Sequence, residues 1–440
     1  MKNSAIFFLT VALCFNFLNF SSSALEEPRI TGEYAILIDA GSGQVLYEKN
    51  ADTPWYPAST TKILTALIIL ENHTLDEIVT IDAESPFAEG SKIFIYEGEQ
   101  LSIRELLYAM MVSSANDIAE ALAVYHSGNP ALFSEEMNLR AKELGAVNSN
   151  FMNPHGLHHD SHMSTPRDMA IIAMKAYENP AFQDMVRTVT YTIEPNEFQP
   201  LGRVMKTTNK FLYDTARIPY QGESVPIRWD LVDGIKTGYT TVSKGNLVTT
   251  AQKNGIRLIS VVFNSDSASI YSDSRSLLEF GFDSFKYHSF TFSGNKILSL
   301  PVENGTQSQL SLFAADTVTG LIEDDVDINE VVEELKLEEI TLPIEKDQVL
   351  GSIVYRYGDR VLGRTDLVSD ADIEEETLPL TLKNLLVRRN GLGEIEFRYY
   401  WDIFLKFLLA FLIWRTVITL WRLQKIRKKT KRKKGVHVQP

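Results

Sequence analysis

An apolar run from Ile403 to Trp421 passes directly into residues 422–440, which hold nine Lys or Arg and no acid. The run approaches the roughly 20 residues that cross a bilayer, and Trp401 and Trp421 stand where interfacial aromatics belong. Lys406 and Arg415 interrupt it. At about 100° per residue the two fall on nearly opposite helix faces, so a surface-lying helix with one polar face does not result. A span with both charges snorkelling towards headgroups is favoured over an interfacial helix. Cations collect on the cytoplasmic side of membrane helices. The anchor is therefore expected at residues 401–423, a basic tail at 424–440 in the cytoplasm, and the body outside.

At the other end, Lys2, the apolar stretch Ala5–Phe20 and the small residues Ser22-Ser23-Ala24 have the form of a secretory signal at residues 1–24. An uncleaved signal anchor is the weaker reading, because a short apolar region seldom stays as a span. The single cysteine, Cys14, falls inside this segment, which excludes disulfides and cysteine catalysis from the mature chain. The net charge is -14, and setting aside the nine tail cations (-14 - 9) leaves about -23 for the rest. An acidic body of this kind argues against nucleic acid as a partner, while 44% apolar content supplies a sizeable core.

Between these ends, Tyr34–Asp39 and Gln44–Glu48 read as a hairpin across Ala40-Gly-Ser-Gly43. Apolar residues recur at helical spacing over Thr61–Asn72 and Ile103–Val124. Thr165-Pro166 has the form of an N-cap followed by Pro at the first helical position, and Arg257–Phe263 returns to strand. Strands at both ends with helices between predict one α/β or α+β domain, residues 25–289. Short alternating runs then predict a small β-rich domain, 290–369, joined to the anchor by an acidic linker, 370–400. No internal repeat is seen.

The strongest local signal is Pro57-Ala-Ser59-Thr-Thr-Lys62 leading into a helix. Ser59 and Lys62 lie three residues apart, on one helical face, where an amine can reach a hydroxyl. Serine needs a neighbouring base, and a lysine serves when burial or a second cation lowers its pKa. The helix N-terminus also offers N–H groups to an oxyanion. Ser114-Ala-Asn116 adds a second hydroxyl and an amide. The rarer Lys236-Thr237-Gly238 fits an edge strand whose glycine lets a substrate backbone approach. Alone each motif is weak; their order behind a secretion signal carries the case.

With these motifs the chain resembles the low-molecular-mass penicillin-binding proteins, D-alanyl-D-alanine carboxypeptidases related to class A β-lactamases. Val45-Leu-Tyr-Glu-Lys-Asn-Ala51, Phe151-Met-Asn-Pro-His-Gly-Leu157, His162-Met-Ser-Thr-Pro-Arg-Asp168 and Leu277-Leu-Glu-Phe-Gly-Phe282 extend the resemblance over residues 30–290. It implies an antiparallel sheet with a helical cluster, a β-rich C-terminal domain and a membrane helix. It implies that Ser59 is the nucleophile, Lys62 the general base, Ser114 a proton relay and Asn116 a holder of the donor peptide. Lys236, Thr237 and Gly238 would bind substrate, with the backbone N–H groups of Ser59 and Tyr239 as oxyanion hole. Removal of the terminal D-alanine from peptidoglycan stem pentapeptides would proceed through an acyl-enzyme, which β-lactams imitate. Stem peptides, β-lactams and membrane lipid are the partners implied; no cofactor or metal is. The protein would sit in the bacterial cell membrane, its catalytic domain on the extracytoplasmic face, and act in cell wall organisation and cell shape.

Two departures stand out. Relatives often carry an arginine where this chain has Ile270, with Arg275 as a substitute, and Thr240-Thr-Val-Ser-Lys244 is bulkier than usual. A transpeptidase or endopeptidase of the same family, or a non-catalytic wall sensor, is the alternative. His155, His158, His159 and His162 lack a His-Glu-x-x-His pattern, so a zinc peptidase is disfavoured. Asp117 and Asp233 are read as capping or pairing groups. No glutamate suited to efficient deacylation is evident, which disfavours a β-lactamase.

Overall fold

The computed structural model describes residues 27–267, 269–324, 326–376 and 397–433. The expected signal segment with Cys14, most of the linker and the last residues of the basic tail lie outside them. The described chain divides into two units. One takes residues up to Ser293 with Ala315–Lys336 and Ser352–Thr365; the other takes Gly294–Ala314, Leu337–Gly351 and the chain from Asp366.

The first unit is built on an antiparallel sheet of β1 (Tyr34–Asp39), β2 (Val45–Lys49), β3 (Val232–Thr240), β4 (Lys244–Lys253) and β5 (Ile256–Ser265). Their order is β2-β1-β5-β4-β3, which leaves β3 at an edge. Side chains alternate across a strand, and in β1 and β5 both faces are apolar. Ile36, Ile38, Ile259, Val261 and Phe263 enter one core, and Ala35, Leu37, Leu258 and Val262 enter the other. A strand buried on both sides needs cover on both.

The larger core is closed by α1 (Lys62–Asn72), α2 (Ile103–Ser113), α3 (Asn116–Ser127), α4 (Pro130–Glu143), α5 (Pro166–Tyr177) and α6 (Pro180–Arg187). The smaller is closed by α7 (Ile270–Ser284). Local chemistry fixes the ends. Ser102 and Glu105 form a reciprocal capping box at α2, and Thr165 accepts the Asp168 N–H at 3.1 Å at α5. The helical pattern over 103–124 is divided at Ser114, whose φ of 63° is left-handed, so α2 stops and α3 begins at Asn116.

Also in the first unit, Phe285–Thr291 pairs with Val318–Glu323. In the second, Lys296–Pro301 and Gln309–Ala314 form a hairpin, and Leu312–Ala314 pair with Leu367–Ser369, giving the expected β-rich C-terminal region. The second unit also holds α8 (Phe397–Lys433). Within α8, Ile403–Lys425 has a mean hydropathy of 2.0, long and apolar enough to cross a membrane.

Candidate active site

Ala58–Thr61 form one turn of 3-10 helix that runs into α1. With three residues per turn, positions i and i+3 eclipse, so this turn sets Lys62 directly over Ser59. Lys62 Nζ lies 3.1 Å from Ser59 Oγ, 2.7 Å from Asn116 Oδ1 and 2.8 Å from the His155 carbonyl. An ammonium donates to all three. A neutral amine has only two N–H bonds, which the amide and carbonyl oxygens take, leaving its lone pair for the Ser59 hydroxyl.

The surroundings favour that neutral form. Lys62 is fully buried, and burial, reinforced by the positive charge of Lys236 and opposed by Asp117, holds its amine well below the usual lysine range. Asn116 cannot swap its oxygen for nitrogen without loss, because its Nδ2 donates to the Glu89 carbonyl at 2.6 Å. Asp117 gathers the N–H groups of Ile93, Phe94 and Ile95, a structural task in line with its expected capping role. Asp233 pairs with Arg257 at 2.9 Å.

Ser114 ends α2 and is buried two residues before Asn116. Among the described residues no hydrogen bond joins it to Ser59 or Lys62. Lys236, Thr237 and Gly238 lie on β3, and the free edge of that strand is available for an added peptide. A Cβ on Gly238 would stand 2.9 Å from the Pro57 carbonyl and 3.1 Å from the Ser59 nitrogen, so only glycine lets this strand pass the turn that carries Ser59. Tyr239 follows it, its side chain exposed. Lys236 is buried and, among the described residues, forms no ion pair with a carboxylate; burial draws its amine down to about 7, and it donates to the Thr237 carbonyl at 3.1 Å.

The four histidines of the 155–162 loop have separate partners. His155 meets Glu120 at 2.8 Å and accepts the Leu157 N–H. His162 accepts the Met152 N–H and meets Thr61 at 2.9 Å; burial takes it to about 3, so it is a neutral donor to the Thr61 hydroxyl. His158 faces Asp160, and His159 accepts the Ser161 N–H. Arg275 does not stand in for the arginine replaced by Ile270: it bonds Glu279 at 2.8 Å and lies over the Tyr220 and Trp229 rings.

Three contributors carried no sequence signal. The His155 and Pro154 carbonyls, which accept from Lys62 and from Thr65 at 2.6 Å, are backbone atoms. Thr208, whose Oγ1 lies 2.6 Å from Thr237 Oγ1, belongs to no motif.

The chain is similar to known proteins over most of its length. A family model described as D-alanyl-D-alanine carboxypeptidase matches residues 21–267, and one described as penicillin-binding protein 5, C-terminal domain, matches residues 285–375. D-alanyl-D-alanine carboxypeptidase DacF of Bacillus subtilis is 30% identical over 362 residues, covering 80% of this chain and 88% of that protein. DacA of Escherichia coli is 30% identical over 394 residues, covering 83% and 92%. The crystal structure of penicillin-binding protein 5 from Haemophilus influenzae aligns with a TM-score of 0.64 at 29% identity, covering 79% of this chain and 99% of that one.

Proposed function

The chain belongs to the D-alanyl-D-alanine carboxypeptidase family of serine peptidases, and from that premise we propose that Ser59 attacks the carbonyl between two terminal D-alanines of a peptidoglycan stem. The observation that carries this reading is the three-way bonding of Lys62 Nζ to Ser59, Asn116 and His155. It supports Lys62 as the acylation base, since its lone pair faces the hydroxyl once the other two partners are satisfied.

In this reading the Ser59 proton passes to Lys62 as Oγ bonds the carbonyl carbon. The oxyanion is received by the Ser59 and Tyr239 N–H groups; the approach of Gly238 to the Ser59 nitrogen supports that placement. Ser114 relays a proton to the departing amine, D-alanine leaves, and water hydrolyses the Ser59 ester with Lys62 again as base. Asn116 holds the donor peptide and fixes Lys62 at once. Lys236 and Thr237 bind the terminal carboxylate. β-Lactams acylate the same oxygen. The apolar part of α8 anchors the chain, with the catalytic unit on the extracytoplasmic side.

The test is D-alanine release from a peptide ending in D-Ala-D-Ala by the full chain and its Ser59→Ala variant, with fluorescent penicillin labelling in parallel. Both signals are expected to vanish in the variant. Labelling without release from peptide or wall fragments would favour a transpeptidase or sensor.

A further inference from the structure

Thr208 belongs to no motif, yet two bonds place it beside the Lys-Thr-Gly strand and the end of α2. Its backbone N–H donates to the Val112 carbonyl at 3.2 Å, two residues before Ser114, and its Oγ1 lies 2.6 Å from Thr237 Oγ1. The Ser114 turn and the Lys-Thr-Gly strand are thus joined through one threonine, and the pair presents two hydroxyls side by side and open to solvent.

Cations of this unit have their own partners: Lys206 lies 3.6 Å over the Tyr213 ring and Lys210 faces Asp214 at 3.9 Å. Lys236 is buried and bonds the Thr237 carbonyl. Arg203 is held by Glu99 at 2.7 Å, Arg257 by Asp233 at 2.9 Å and Arg275 by Glu279 at 2.8 Å. Ile270 fills the start of α7 against Gly245. Among the described residues no arginine is bonded to Thr208, Thr237 or Lys236.

Resting on the carboxypeptidase reading, we propose that Thr208 is a specificity-determining residue: its hydroxyl and that of Thr237 together receive the terminal group of the substrate, in place of a guanidinium. A guanidinium donates only, at fixed geometry, and selects a carboxylate over any neutral group. A hydroxyl donates to a carboxylate or carbonyl oxygen and also accepts from an N–H. Two hydroxyls therefore admit a neutral carboxamide end as well as a carboxylate, with Lys236 supplying the remaining preference for charge. The substrate class this implies includes stems whose last residue is amide-linked as well as stems with a free end.

The experiment compares cleavage of one acyl-D-Ala-D-Ala peptide with that of its terminal carboxamide by the full chain and by Thr208→Val and Thr208→Arg. Melting temperature and labelling at saturating penicillin serve as folding controls. In the parent, kcat/KM for the two peptides is expected to differ by less than about tenfold. Thr208→Val should raise KM for the free acid about tenfold with kcat within about twofold, the effect of one lost hydrogen bond to a charged group. Thr208→Arg should widen the acid-to-amide ratio at least tenfold. An unchanged KM in Thr208→Val, or an unchanged ratio in Thr208→Arg, overturns the inference and leaves the carboxypeptidase reading standing. A parent that labels with penicillin but cleaves neither peptide overturns both.

Discussion

Lys62 Nζ sits 2.7 Å from Asn116 Oδ1, in a pocket that admits no water-exposed surface to the amine. The amide oxygen polarises the amine without charging it. Replacing Asn116 with Asp would put a carboxylate at that distance and raise the Lys62 pKa, because the ammonium form gains an opposite charge in contact with it. The base form would then appear only at higher pH. Asn116→Asp should lower acylation by penicillin at pH 7 about a hundredfold and move the rising limb of the pH profile upward. A limb that stays in place would disconnect Asn116 from the acidity of Lys62.

Gly156 has a φ of 85°, and a Cβ there would overlap the Ala58 carbonyl and come within 2.9 Å of Thr61 Oγ1. The loop that carries the His155 carbonyl therefore rests on the turn that carries Ser59. Gly156→Ala should destabilise the chain by about 2 kcal/mol and lower kcat/KM more than tenfold by tilting Ser59. Normal turnover with lowered stability would show that the loop is packing alone.

Glu99 and Arg203 form a buried bidentate pair at 2.7 and 2.8 Å, and Arg203 also holds the Ile93 and Phe94 carbonyls. Removing one partner strands the other's charge. Glu99→Gln is expected to cost about 3 kcal/mol in denaturant titration, whereas Glu99→Leu with Arg203→Met should recover much of it. Equal losses in both variants would mean that the bonds to the 93–94 carbonyls, lost only with Arg203, cost as much as relieving the stranded charge returns.

Lys236 titrates at about 7 when folded, against 10.5 for the ordinary side chain. Between those values the unfolded chain binds the extra proton, so stability from this group rises with pH from about 7 to about 10.5 and its penalty is complete below 7. Lys236→Met should therefore melt several degrees higher at pH 6 and show a flatter stability profile across that window. The same variant should raise KM for the free-acid peptide. A parent-like melting curve at pH 6 would place the amine in a wetter site than its burial indicates.

Features of the site that depend on chain-local geometry were legible. Ser59 and Lys62 share a turn, and their spacing announced contact. Thr165-Pro166 announced a cap, and the hairpin of β1 and β2 followed from alternation. What depends on distant chain was not. The helical periodicity over 103–124 gave no sign of the left-handed φ at Ser114 that divides α2 from α3, because apolar spacing reports which face is buried and not where the backbone turns. Gln44 reads as a strand residue, yet its amide reaches across to bond both the N–H and carbonyl of Leu321, and β2 starts one residue later. The acceptors at Pro154 and His155 are carbonyls, identical in every residue type. Arg275 shows the converse limit: charge alone made it a candidate, while its partners point elsewhere.

Lys62 meets Asn116 and His155 across sequence separations of 54 and 93 residues, and Gly238 comes from farther still to lie on the Ser59 nitrogen. Pairings of that span close late, after the intervening loops have lost their freedom. Before then Ser59 is an ordinary alcohol, unreactive towards a strained amide. On the proposed mechanism, covalent capture of a fluorescent β-lactam at Ser59 works as a stopwatch for maturation: each labelled molecule has already assembled its whole catalytic unit, and the delay between the start of refolding and first labelling times that assembly.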